Sequence, residues 1–296
     1  MTVCIAAICV FEKQPFIVAA SDRMITAGDI EFEQPQPKIF QLGLHSVALT
    51  AGDVSAQSLI ATRTQREILR SGITDIGEVA AIYGSEFMEY LRLSAEAAFL
   101  APLGLNSETF IERQQTLKPE VATTLVNQLQ DYRENYERDF GGAIVTGVDD
   151  SGAHIFVVEA TGRPVSMDSI GFASIGFGRW HAGSQFMFSG YAKHWDFERA
   201  LFLTYSAKRR AEVAPGVGLA TDMVLISTNP RRINHLGDDN EIVLKLKEIY
   251  DRFVGSEREL RRTSDEEVKA YAAERLFKKK EGTSKSDIVM TEQVDG

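Results

Sequence analysis

The sequence is poor in cysteine, in basic charge and in long apolar runs, and each shortage narrows what the chain does. Its 296 residues include two cysteines, Cys4 and Cys9, too few for a disulfide framework. They lie five positions apart in one apolar run, so they face opposite sides of a strand and are expected as buried free thiols. Lys and Arg number 32 against 42 Asp and Glu, a net charge of −10. That balance argues against a nucleic-acid binder, which carries a basic face. No run approaches 18 uninterrupted apolar residues, so no membrane span is expected. The N-terminus lacks the basic flank and apolar core of a signal peptide, and a cytoplasmic protein is expected. The five histidines (His45, His154, His181, His194 and His235) are dispersed without paired ligand spacing, so no metal site follows. Gly141-Gly142 and Gly216-x-Gly218 lack a dinucleotide fingerprint and read as turns, so no cofactor is expected either.

What is present is the profile of a soluble globular protein, 44% apolar and 25% charged. Residues 2–11 and 15–22 read as strands joined at Glu12–Pro15, and residues 38–42 and 45–51 as a second hairpin. The first pair is almost continuously apolar, which predicts burial on both faces. Helical spacing follows over 54–71, with Gly72 as its stop, and again over 75–100. Residues 101–139 are polar and helical. Strands are predicted at 142–149 and 153–159 around the turn Asp150-Ser151-Gly152, at 172–176 and at 223–228, with helices at 179–191 and 196–212 between the last two. Residues 240–280 are charged with helical spacing, and from Lys278 a frayed tail is expected. Two sheets sandwiched between helical layers would bury such strands on both sides.

Four residues stand in a telling order near the start. Thr2 directly follows Met1. Asp22 ends the second apolar strand and opens Asp22-x-x-x-Thr26. Lys38 leads the next strand, and Gly52 follows Ala51 at the close of the hairpin. Sixteen positions separate Asp22 from Lys38, and fourteen separate Lys38 from Gly52. This pattern resembles the N-terminal half of the proteasome beta-subunit family, including its bacterial proteasome-like members. The resemblance covers roughly residues 2–230 and implies an α+β fold, the four-layer αββα sandwich of N-terminal nucleophile hydrolases. It places a hydrolase domain at 1–235 with 101–139 as a helical insertion, and leaves 236–296 as a charged helical extension and flexible tail.

The resemblance implies a threonine-type peptidase. With Met1 removed, the α-amine of Thr2, whose ordinary pKa is near ~8, would serve as base for its own hydroxyl. Lys38 would stabilise the alkoxide, Asp22 would orient Lys38, and the N–H of Gly52 would meet the oxyanion. Thr26 would line the substrate site. The same kinship implies a homo-oligomeric ring or ring-like assembly, peptide or unfolded-protein substrates and an ATP-dependent unfoldase as partner. Leu59, Phe87, Tyr90, Phe186, Phe188 and Phe202 are expected at subunit contacts. Two other roles suit the same fold: a small-amide hydrolase, or a structural or regulatory assembly subunit with reduced catalysis. Two departures bear on the latter. No serine follows the 172–175 strand, where Ile175-Gly176-Phe177-Gly178-Arg179 stands, and the family's Asp-x-x-Ser is replaced by Arg210-Ala211-Glu212-Val213-Ala214-Pro215-Gly216. Considered singly, each site residue has an ordinary structural explanation: a strand threonine, a strand-end cap, a solvated lysine, a turn glycine. Cys4 is the alternative nucleophile.

Overall fold

A computed structural model describes residues 2–27, 30–33, 35, 38–139 and 142–277. The chain is mixed α+β with antiparallel sheets. It divides into two units, one ending at Leu246 and one beginning at Lys247.

Five strands make the first sheet: β1 (Val3–Phe11), β2 (Gln14–Ser21), β10 (Phe172–Gly176), β11 (Asp222–Thr228) and β12 (Arg231–Leu236), in the order β10-β1-β2-β11-β12. The second sheet runs β5 (Ile39–Gln41), β6 (Ser46–Thr50), β7 (Ala143–Val148), β8 (Ala153–Val158) and β9 (Pro164–Ser166) in chain order. A separate hairpin pairs β3 (Met24–Ala27) with β4 (Ile30–Glu33). Helices α1 (Val54–Ser71), α2 (Ile76–Ala95), α3 (Ser107–Arg113) and α4 (Pro119–Asp139) fall between β6 and β7, and α5 (Arg179–Phe188) and α6 (Phe197–Ala211) between β10 and β11. The predicted insertion at 101–139 is occupied by α3, α4 and two short 3-10 turns.

Alternation along β1 explains why that strand is apolar throughout. Cys4, Ala6 and Ile8 join a cluster with Ile17 and Ala19 of β2, Val47 and Leu49 of β6 and Ile144 of β7, so this face meets the second sheet. Val3, Ile5 and Ala7 join Ala182 and Phe186 of α5 and Leu203, Ala207 and Ala211 of α6. The second sheet is covered likewise: Ala48, Ala143, Val145 and Val158 pack with Ile60, Ala61 and Ile68 of α1 and Val79, Tyr83 and Phe87 of α2. Strands buried on both faces need apolar residues at every position rather than at every second one.

Helix ends follow the local chemistry. The Asp53 carboxylate accepts from the N–H groups of Ser55 and Ala56 to start α1, and the N–H of Gly72 closes it on the carbonyl of Ile68 at 2.9 Å. Phe87 and Phe186, expected at subunit contacts, are instead fully buried within the chain's own clusters. They lie on the helix faces turned toward the sheets, where large apolar groups fill the layer between helix and strand. Phe188 is 93% exposed and Leu59 41%.

In the second unit, the long helix α7 (Glu241–Ala272), which begins in the first unit, continues with an exposed, charged surface and ends in a turn at Ala273–Phe277. The tail expected from Lys278 lies outside the described residues. Among the described residues, no helix is long and apolar enough to cross a membrane.

Candidate active site

Thr2, Asp22 and Lys38 are far apart in sequence and meet at one end of the two sheets. The β1–β2 register pairs Cys4 with Ser21, and the N–H of Asp22 continues it by donating to the carbonyl of Val3 at 3.3 Å. Thr2 and Asp22 therefore leave their strands side by side. Lys38 arrives from the other sheet, just before β5, where its carbonyl accepts from the N–H of Thr50 at 3.0 Å. The gap between sheets, lined elsewhere by apolar groups, ends in these three polar side chains.

Their geometry is closed and mutual. The Thr2 hydroxyl donates to Asp22 Oδ1 and accepts from Lys38 Nζ at 2.6 Å. Lys38 Nζ also donates to Asp22 Oδ1 and Oδ2 at 3.3 and 3.2 Å. Asp22 is fixed by backbone donors as well: Val3 N–H to Oδ1 at 2.9 Å, Met24 N–H to Oδ2 at 2.9 Å and Gly218 N–H to Oδ2 at 3.0 Å. Thr2, Asp22 and Lys38 are 1%, 0% and 4% exposed. A lysine and an aspartate this deep require mutual pairing and hydrogen bonds, and both are provided. A cation 2.6 Å from a hydroxyl oxygen is positioned to stabilise an alkoxide there.

Gly52 follows β6 with a φ of 113°, a left-handed conformation that favours glycine. Among the described residues no hydrogen bond joins it to the other three. Its chain neighbours are fixed: the carbonyl of Ala51 accepts from Gln57 Nε2 at 3.1 Å, Gln57 is braced by the hydroxyl of Tyr83, and the carbonyl of Thr50 accepts from Cys4 Sγ at 3.4 Å. Thr26 lies in β3, paired with Glu31; its side chain falls outside the described residues.

The glycine-rich segment after β10 packs directly on the nucleophile candidate. The N–H of Gly178 donates to the carbonyl of Thr2 at 3.1 Å. A Cβ on Gly176 would sit 2.4 Å from that carbonyl oxygen and 2.8 Å from Thr2 Cγ2, so a side chain there would displace Thr2. Ser174 points elsewhere, donating to the carbonyl of Arg179 at 2.9 Å.

Cys4 stands beside the cluster as a thiol. Burial pushes its pKa up to about 12 against the opposing pull of Lys38, so its thiolate is scarce at neutral pH. Glu212 does not reach Thr2; its carboxylate takes Lys208 Nζ at 2.8 Å and Arg209 at 3.2 Å. Sequence inspection missed the Gly218 N–H, because a backbone donor leaves no side-chain signature. It also missed Lys208. The signal available was its place four residues from Thr204 and eight from Ala200, on the buried stripe of α6.

A second polar cluster sits at the β7–β8 turn. Ser151 Oγ lies 2.7 Å from His154 Nε2, and His154 Nδ1 lies 2.8 Å from Asp168 Oδ2. The Asp149 carboxylate intrudes, 2.7 Å from Ser151 Oγ and 3.2 Å from His154 Nε2. Burial works to raise its pKa, but the hydrogen bonds from Ser151 and from the Ile76 N–H prevail and hold it at about 2. An anion beside Ser151 would oppose an oxyanion forming there, so these bonds serve to pin the turn to the start of α2.

Among the described residues, no cluster of three or more His, Cys, Asp and Glu is set to hold a metal ion. No protein-family model matches the chain, and comparison with curated proteins finds no match.

Proposed function

We propose that this chain is a threonine-type peptidase of the N-terminal nucleophile class, resembling the proteasome beta subunits, with Thr2 as nucleophile. The observation that carries this is Lys38 Nζ at 2.6 Å from Thr2 Oγ1, with both groups bonded to a buried Asp22. The facing sheets, each covered by a helix pair, support the four-layer αββα sandwich as the fold. With Met1 removed, the freed amine of Thr2 takes the hydroxyl proton, directly or through one water. Oγ1 attacks the peptide carbonyl, forming a C–O bond while the carbonyl electrons move to oxygen. That oxyanion is met by the N–H of Gly52, a contact worth ~3–4 kcal/mol in comparable sites. Collapse breaks the C–N bond, the leaving amine takes the proton from the Thr2 ammonium, and water hydrolyses the remaining ester.

Lys38 keeps charge stabilisation at Oγ1 through both halves of the cycle, and Asp22 holds Lys38 in place. The setting proposed is the cytoplasm, in a homo-oligomer that encloses the sites, with peptides or unfolded proteins as substrates and an ATP-dependent unfoldase as partner. Hydrolysis of fluorogenic peptides by purified variants tests the mechanism. Thr2→Ala is expected to abolish turnover while the fold is kept, since the two hydroxyl hydrogen bonds lost are worth about 1.5–3 kcal/mol each and Asp22 and Lys38 remain bonded to one another. Lys38→Ala is expected to lose at least ~100-fold in kcat, the scale of removing an electrostatic stabiliser of the transition state. Turnover retained in both variants would place the nucleophile elsewhere.

A further inference from the structure

The segment between α6 and β11 is gripped from two sides by charged side chains that have no part in the chemistry proposed above. From within the fold, the ammonium of Lys208 donates to the carbonyls of Gly218 and Leu219, both at 2.9 Å, and to Glu212 Oε1 at 2.8 Å. Lys208 is 0% exposed. From the other side, Glu33 at the end of β4 accepts from the N–H of Leu219 and, at 2.9 Å, from the N–H of Ala220. One cation holds the carbonyls and one anion holds the amides of the same short stretch. The stretch itself has little room to shift: a Cβ on Gly218 would lie 2.4 Å from Glu33 Oε1 and 3.0 Å from Met24 Cβ.

What this grip fixes is the N–H of Gly218, which donates to Asp22 Oδ2 at 3.0 Å. Asp22 Oδ1 accepts in turn from the Thr2 hydroxyl, and the carboxylate as a whole anchors Lys38. Rotation of Asp22 would move both partners of Thr2 together. Burying an ammonium to hold two loop carbonyls is costly in general, and a solvated loop needs no such device. The cost has a counterpart here, because the loop delivers a backbone donor to the reacting cluster.

We propose that Lys208 and Glu33 are paired positioning residues, clamping residues 218–220 so that the Gly218 N–H, with those of Val3 and Met24, holds the orientation of Asp22 and, through it, of Thr2 and Lys38. This rests on Thr2 being the nucleophile. The two residues act from opposite ends of the chain's charge scale and from different elements, yet they are expected to impair the same step. Loosening the clamp shifts the reacting groups without altering where a substrate binds.

The test is the kinetics of acylation by a peptide β-lactone, with the modified residue located by tandem mass spectrometry. The lactone carbonyl accepts Oγ1, its ring C–O bond opens, and the whole reagent stays on the protein as an ester. Wild-type protein is expected to be acylated at Thr2. Glu33→Ala, a surface change that leaves the fold intact by circular dichroism, is expected to slow the maximal inactivation rate by roughly 10- to 100-fold, the loss typical of a small misplacement of reacting groups. Its half-saturating lactone concentration is expected to stay within about twofold, since uniform binding is untouched. Lys208→Met should show the same division, and Glu33→Gln, which keeps an oxygen acceptor, should recover most of the rate. Wild-type rates in a folded Glu33→Ala would overturn the clamp while leaving Thr2 as nucleophile. Wild-type protein that is not acylated at Thr2 would overturn the nucleophile assignment, and the clamp with it.

Discussion

Two buried lysines and one buried aspartate define the chemistry at the scale of single residues. Lys38 faces a hydroxyl and a carboxylate, whereas Lys208 faces backbone carbonyls and Glu212. Burial pushes the Lys208 pKa below the ordinary lysine value, and Glu212 and Asp22 pull it back. Asp149 offers the clearest titration. Its folded pKa of about 2 lies below the ordinary 3.8, so it adds stability above pH 3.8 that is lost as pH falls toward 2. Asp149→Asn should therefore lower the melting temperature most at neutral pH, with the gap from wild type shrinking below pH 3.8. A gap that stays constant down to acid pH would assign the effect to packing rather than charge. The cluster of Thr2, Asp22 and Lys38 was legible in the sequence because its order and separations survive as a one-dimensional pattern. Gly218 and Lys208 were not. The first acts through its backbone, and the second opens the run Lys208-Arg209-Arg210, which looks like a solvated surface.

At the scale of elements, the strands that carry the site are those the sequence declares most loudly. β1, β2, β6 and β7 are apolar on both faces because each lies between another sheet and a helix layer. The elements missed were β9, β12 and the β3–β4 hairpin, which are short or largely exposed. Edge strands have one free side and often a free face, so their composition approaches that of loops. The hairpin nevertheless matters to the site, since β4 supplies Glu33. Helix boundaries were sharper. Asp53 and Gly72 bracket α1 in the positions where a carboxylate cap and a left-handed stop belong.

For the whole molecule, association into a ring-like complex is a proposal with its own surface argument. Trp180, Met187 and Phe188 of α5 are 73%, 72% and 93% exposed, and Val213 and Leu219, which follow α6, are 73% and 65% exposed. Specific interfaces bury about 1,200–2,000 Å² with apolar centres, and exposed large apolar side chains on one helix suit that use. Phe87 and Phe186 drop out of the expected contact set, being spent on the chain's own core. Multi-angle light scattering at micromolar concentration is expected to give a mass of at least about six subunits, the proposed ring being closed by a rotation that returns to its start. A stable monomer would contradict enclosure of the sites and favour a small amide as substrate.

The proposed mechanism has the hydroxyl and the α-amine of Thr2 act together, and a peptide epoxyketone tests both at once. Its ketone takes a threonine oxygen and its epoxide takes the amine of the same residue, so only a free N-terminal threonine forms the double linkage. Intact mass and tandem mass spectrometry of the treated protein should show Met1 absent and a single adduct closed on both atoms of Thr2. Protein that retains Met1 throughout and carries no adduct at Thr2 would rule out Thr2 as an N-terminal nucleophile.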